Sequence, residues 1–284
     1  MAIFSNQATL IYNGITTNSN VAYGEILEVL EADKTALDTA YEPGELVTYV
    51  VTLRSSGSSP LTGLTLTDDL GGYPFGTGIV YPLTYETGTL RVFTDGVLQP
   101  IPVVNAGPPL VVSGIMVPAG GSVIVLYQAR VNGFADPGAG GTITNTVTVT
   151  GGGLTTPVTA TAEITADAAA ALTITKSISP AQVQDNDRVT YTFLIQNSGS
   201  VPVVATDNAV IFDLFDPILT NLTVTFEGTV WTQGVQYTYN EATGQFRTLP
   251  GWLPVPAATV TQDPITGEFT VTPGTATLTV TGTI

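Results

Sequence analysis

One pattern of strand-length segments occurs twice in this 284-residue chain, so the fold must be two copies of whatever a single copy specifies. The first copy runs EPGELVTYVVTLRSSGSSPLTGLTLTDDL from Glu42 to Leu70, and the second runs DNDRVTYTFLIQNSGSVPVVATDNAVIFDLF from Asp185 to Phe215. They align through Tyr49 with Tyr191, Gly57 with Gly199, Pro60 with Pro202 and Asp68 with Asp213. Farther on, VPAGGSVIVLYQARV (Val117–Val131) matches VTPGTATLTVTGTI (Val271–Ile284), which sets Gly120 against Gly274. Threonine, valine, glycine and proline dominate, and apolar positions alternate with polar ones in runs broken by turn residues. The expected fold is all-β, as two tandem β-sandwich modules.

The copies end differently. After Val131 the first continues through a glycine-rich loop into TITNTVTVTGGGLTTPVTATAEI, which reads as a strand, a glycine turn and a return strand. The second stops at Ile284, so its closing strand is expected to be missing. A matching segment stands instead at the amino terminus, IFSNQATLIYNGITTNSNVAYGEI, with Asn6 on Asn145, Asn13-Gly14 on Gly152-Gly153, and Thr16-Thr17 on Thr155-Thr156. The expected division is a donor strand and connector over 1–23, a first sandwich over 24–163, and a second, incomplete sandwich over 164–284. Residues 13 to 24, fully stretched, reach at most about 40 Å. Return of the strand to its own chain's groove is therefore strained, and insertion into a second copy is favoured.

Charge and missing residue types exclude several functions. A net charge of −16 with only seven basic residues repels phosphate backbones and anionic lipid, so neither nucleic acid nor a membrane surface is an expected partner. The absence of cysteine and histidine excludes disulfides, Cys/His zinc sites and imidazole or thiolate catalysis. No cofactor or metal is expected. Asp185 and Asp187 read as a hairpin turn rather than a calcium loop. Trp231, Trp252, Tyr237 and Tyr239 read as packing before they read as a carbohydrate platform. The start MAIFSNQATLIYNG has no basic segment followed by an apolar block, and no apolar run of about 18 residues occurs, so neither a secretory signal nor a membrane anchor is expected.

Lysine occurs twice only, as Lys34 and Lys176 at matched positions of the repeat. Counting in twos along each strand places Leu172, Ile174, Lys176 and Ile178 on one face. Leu64, Leu66, Asp68 and Leu70 share another, which Ile211, Asp213 and Phe215 repeat. Ile143, Asn145, Val147 and Val149 share a third, matched by Phe4, Asn6, Ala8, Leu10 and Tyr12. A Lys, an Asp and an Asn thus point into each core, where an unpaired charge costs several kcal/mol. Burial lowers the amine pKa and raises that of the carboxyl, leaving a nucleophilic amine beside an acid that can polarise an amide and shuttle protons as ammonia leaves. The expected bonds are Lys34 to Asn145 within module one, promoted by Asp68, and Lys176 to Asn6 between subunits, promoted by Asp213. A competing pattern is a salt bridge from Lys34 to Glu28, Glu31 or Asp33, and for either aspartate a plain turn cap.

These motifs, LTITKSISP, VTYTFLIQNSGSVPV, TLTDDL and TNTVTV, resemble the bacterial surface-protein repeat family known as domain of unknown function eleven. The three-residue constellation is similar to that of the isopeptide-forming domains of Gram-positive pili and collagen adhesins. The resemblance implies immunoglobulin-like modules and a surface location. Ser55-Ser56-Gly57 departs from the Asn-Ser-Gly or Asn-Thr-Gly often found in the family. The expected function is a structural subunit of an extracellular or spore-surface fibre, not a turnover enzyme. Its expected partner is itself, head to tail, through a donor strand bearing Phe4, Ala8, Leu10 and Tyr12. Anchoring and tip proteins are unassigned. The alternative is a monomeric surface adhesin or stalk fragment with internal bonds alone.

Overall fold

The computed structural model describes residues 2–26 and 28–284. It is built from strands, with one 3-10 turn at Ala205–Asp207 among the described residues. Two compact units emerge, one of residues 1–135 with 142–164 and the other of residues 136–141 with 165–284.

The first unit opens with an antiparallel hairpin. Strands β1 (Ala2–Asn6) and β2 (Thr9–Tyr12) pair with β4 (Ala22–Ile26) and β3 (Ile15–Asn18) respectively. Asn13 and Gly14 turn the chain with φ of 49° and 79°, the left-handed geometry that an Asn-Gly pair supplies in two-residue hairpins. Past that turn the chain runs back along β2 and β1, as the match of this segment to the strand, glycine turn and return strand of the first module led one to expect. Phe4 lies opposite Gly24 and its ring covers the glycine, yet Phe4 stays 55% exposed, and Leu10, Ile11 and Tyr12 are also exposed.

The sandwich of this unit has two sheets. In one, β5 (Leu30–Ala36), β7 (Leu46–Ser55), β16 (Ser122–Val131), β12 (Arg91–Thr94) and β13 (Val97–Leu98) run from edge to edge, with β11 (Leu83–Tyr85) also on β16. In the other the order is β14 (Val103–Asn105), β15 (Leu110–Val117), β8 (Leu61–Asp68), β17 (Thr142–Gly151), β18 (Val158–Ala166) and β6 (Ala40–Tyr41). A short hairpin of β9 (Tyr73–Phe75) and β10 (Gly78–Val80) stands apart. Period-two sequence becomes period-two burial: Val47, Tyr49, Val51 and Leu53 of β7 are fully buried, as are Val123, Val125, Tyr127 and Ala129 facing them on β16. Each such aliphatic side chain contributes about 1.5–3 kcal/mol.

The second unit repeats the first sheet as β19 (Leu172–Ser179), β20 (Arg188–Asn197), β28 (Gly274–Thr283), β22 (Thr220–Phe226) and β23 (Thr229–Val230). Its other layer is smaller, β21 (Phe212–Leu214), β25 (Gln245–Thr248) and β24 (Tyr237–Asn240), with a separate hairpin of β26 (Thr259–Gln262) and β27 (Phe269–Thr272). Among the described residues of this unit, no strand stands where β17 and β18 stand in the first.

Strand register corrects one alignment. Tyr127 lies opposite Tyr49 and Val280 opposite Tyr191, so Tyr127 corresponds to Val280 and Gly121, not Gly120, corresponds to Gly274. The glycine pair before β16 allows either match in sequence, whereas the ladder admits one.

Candidate functional site

Four elements of the first unit converge on a buried polar cluster. Lys34 sits mid-way along β5 opposite Val51, and Asp68 closes β8 immediately before a turn at Leu70 and Gly71, whose φ values are 51° and 69°. The two carboxylate oxygens of Asp68 have separate duties. Oδ1 accepts the Leu70 backbone N–H at 3.0 Å, which is the turn cap, while Oδ2 accepts from Lys34 Nζ at 2.7 Å and from the Tyr127 hydroxyl at 2.5 Å. Asn145 of β17 donates from Nδ2 to the Tyr127 oxygen at 3.2 Å. Neighbouring Asp69 accepts the Thr146 N–H at 2.8 Å and so ties the end of β8 to β17. The side chains of Lys34 and Asp68 are wholly inaccessible, and Asn145 and Tyr127 are fully buried.

Burial governs the electrostatics. Desolvation pulls the Lys34 amine below its ordinary value, against the opposing pull of Asp68, its hydrogen bond and Asp69. Desolvation first, and then Asp68, push the Tyr127 hydroxyl well up, and the same two causes raise Tyr49. Tyr49 stacks on Tyr127 at 5.6 Å, and its face lies 5.1 Å from Lys34 Nζ. Two buried polar atoms, the Tyr49 hydroxyl and Asn145 Oδ1, have no hydrogen-bond partner. An unpaired amide oxygen beside a destabilised ammonium is costly to keep, and such costs concentrate at sites that react.

The second unit holds the same pair in a different setting. Lys176 of β19 contacts Asp213 of β21, and its Nζ lies 4.5 Å from the Tyr191 ring, 5.1 Å from Phe215 and 5.4 Å from Phe193. Here the lysine side chain is 38% exposed and the aspartate 18%. Every residue of β19 is exposed, including the inward-facing Leu172, Ile174 and Ile178, whereas Leu30 and Lys34 on β5 are buried. The difference is the layer above, because β17 packs across β5 in the first unit. Phe212 and Leu214 alternate with Asp213 and are exposed, while Ile211 and Phe215 are buried.

Of the residues picked out in sequence, Lys34, Asp68 and Asn145 are brought together, and Lys176 is brought to Asp213. Asn6 lies on β1 of the exposed hairpin, opposite Ala22 in the ladder. Glu31 and Asp33 do not compete for Lys34, since they occupy the opposite, exposed face of β5. Sequence reasoning missed Tyr127. Its signal was the alignment of β16 with β7, which the one-residue slip at Gly120 concealed. Trp231 stacks on Phe226 at 5.2 Å and Tyr237 and Tyr239 are buried, so these aromatics pack the core, while Trp252 is exposed. Asp187 accepts the Gln184 N–H at 2.8 Å and Asn186 has φ of 70°, a turn.

No protein-family model and no curated protein matches the chain. Loose likenesses exist among solved structures. The major pilin subunit BcpA of Bacillus cereus shares 11% identity at a TM-score of 0.36, over 96% of this chain and 73% of that one. The pilus backbone RrgB of Streptococcus pneumoniae shares 11% at 0.34, over 86% of this chain, which spans 55% of RrgB. The collagen-binding domain of a Staphylococcus aureus adhesin shares 11% at 0.30, over 49% of this chain and 99% of that domain. Among the described residues no helix is long and apolar enough to cross a membrane.

Proposed function

We propose that the protein is the repeating subunit of a surface fibre, in which the amino-terminal hairpin of one copy fills the open sandwich of the next. The observation that carries this reading is the contrast between the two lysine sites. In the first unit a hairpin, β17 with β18, covers the lysine strand and delivers Asn145; in the second the lysine strand is bare. A hairpin of matching sequence, with Asn6 at the place of Asn145, stands exposed at the start of the chain. By the register of β17 on β8, Val147 opposite Asp68 and Val149 opposite Leu66, Ala8 pairs with Asp213 and Leu10 with Ile211 of the receiving copy. Asn6 then reaches Lys176 of that copy.

Seating Phe4, Ala8, Leu10 and Tyr12 against Ile174, Ile178 and Tyr191 buries a continuous apolar face, of which Phe4 and Leu10 alone contribute roughly 3–6 kcal/mol before association costs are subtracted. Because hairpin and groove are different surfaces, the contact is head-to-tail and propagates unless its rotation closes. The incoming hairpin shields Lys176 from water as β17 already shields Lys34, and Asp213 promotes an amide bond to Asn6 with loss of ammonia. Lys34 and Asn145 react within the first module with Asp68. Each bond forms once, so the protein turns nothing over. Extracellular or spore-surface deployment fits a cross-link that needs no cysteine.

The test is denaturing electrophoresis of native material after boiling. A heat-resistant ladder that Lys176→Ala and Asn6→Ala each reduce to single subunits supports the fibre. Monomer bands alone, with one ammonia lost per chain, leave an adhesin or stalk carrying the internal bond only.

A further inference from the structure

We infer that the Tyr127 hydroxyl is the proton relay of the Lys34–Asn145 reaction, a role that rests on the isopeptide reading above. The acid in this cluster does not touch the nitrogen that must leave. Asp68 Oδ2 contacts Lys34 Nζ and the Tyr127 oxygen, and it is the Tyr127 oxygen that accepts from Asn145 Nδ2. A proton passing from Asp68 to the departing amide nitrogen therefore has a hydroxyl in its path, at hydrogen-bond distance from both ends. The hydroxyl suits a relay because burial and Asp68 keep it protonated: it can give one proton and take another at once, without lasting as a phenolate.

The balance closes. Lys34 ammonium yields a proton to Asp68, and the neutral Nζ forms a bond to Asn145 Cγ while the carbonyl electron pair moves to Oδ1. Asp68 returns the proton to the Tyr127 oxygen as Tyr127 passes its own to Nδ2. The Cγ–Nδ2 bond breaks, ammonia leaves, the carbonyl re-forms, and the surplus proton on Nζ goes to Asp68 and then to ammonia, giving one amide and one ammonium ion.

Strand register makes the relay specific to one site. The residue of the second unit in the position of Tyr127 is Val280, which has no proton to pass. The bond at Lys176 must use Asp213 without it, so the two reactions of one chain differ in their dependence on this hydroxyl.

The experiment follows the full chain in cell-free synthesis, stopped in denaturant at intervals, with the Lys34–Asn145 branched peptide measured by mass spectrometry. Tyr127→Phe keeps the ring against Tyr49 and Tyr85 and removes only the hydroxyl. The expected result is a fall in the rate of bond formation of about 10²–10⁴-fold, the range of a lost general acid-base group. Site-specific difluorotyrosine at position 127 should restore the reaction, because a hydroxyl returns with the same ring. Bond formation in Tyr127→Phe at the unmodified rate overturns the relay, and so does loss that difluorotyrosine fails to rescue when tyrosine inserted by the same route succeeds. Absence of the branched peptide from the unmodified chain overturns the isopeptide reading itself, and is distinguishable because it precedes any substitution.

Discussion

Replacing Lys34 and Asp68 together, by Lys34→Met with Asp68→Asn, isolates what the covalent bond contributes to the first module. Removing either alone leaves its partner charged and unpaired in a site with no solvent access, which typically costs 3–5 kcal/mol and confounds the comparison. The double change substitutes neutral groups of similar volume, a replacement that is often close to neutral in stability, and retains an acceptor for the Tyr127 hydroxyl. A bond between positions 34 and 145 closes a loop of roughly 110 residues, and on the chain-entropy account a cross-link of that span stabilises by about 5 kcal/mol. For a unit near 150 residues this corresponds to a midpoint lower by roughly 10–20 °C in the double variant. Scanning calorimetry with intact mass on the same samples reads both quantities. An unmodified chain lighter by one ammonia yet melting with the double variant would refute the assignment of this stability to the bond.

Before the bond exists, Lys34 titrates with a depressed pKa, so in Asn145→Ala the unfolded chain holds more protons than the folded one between that depressed value and pH 10. Stability should therefore rise with pH across that window, more steeply than in Asn145→Ala combined with Lys34→Met, as denaturant titrations at stepped pH would register. Leu10→Asp places a charge on the hairpin face proposed to enter the groove, and light scattering should find subunits without filaments. Asn197→Ala removes a side chain that accepts from the Ala171 and Gly199 N–H groups and donates to the Val201 and Pro256 carbonyls, and urea unfolding of the second module should show a loss of about 2–4 kcal/mol.

Much of this was legible in the chain because strands write their faces in alternation. Counting in twos was enough to turn Lys34, Asp68 and Asn145 inward, and the repeat was enough to set Lys176 beside Asp213. Parity is a local property and survives ignorance of the fold. Register is not: it depends on which residue of one strand faces which of another, and a doubled glycine before β16 left it open by one place. That single step hid Tyr127, whose hydrogen-bond partners come from β8 and β17, elsewhere in the sequence. The hairpin shows the same limit. Its turn was visible as Asn13-Gly14, but that both arms pair along their length follows from ladder bonds that no composition reveals. Ser55 and Asn197 show what a repeat conceals. They occupy matched places at the ends of β7 and β20, yet Ser55 Oγ accepts only from Gly57, whereas Asn197 bridges four backbone groups.

Strand β19 is an edge strand whose one ladder is with β20, and each of its residues is exposed. Its amides therefore serve as a natural gauge of occupancy. In isolated subunits they should exchange with solvent deuterium ahead of those in β20 and β28, which are flanked on both sides, and a neighbour settling over the strand should slow them. The pace of exchange at Ile174 and Lys176 would then distinguish vacant ends from filled ones along a growing polymer, with no label attached to either partner.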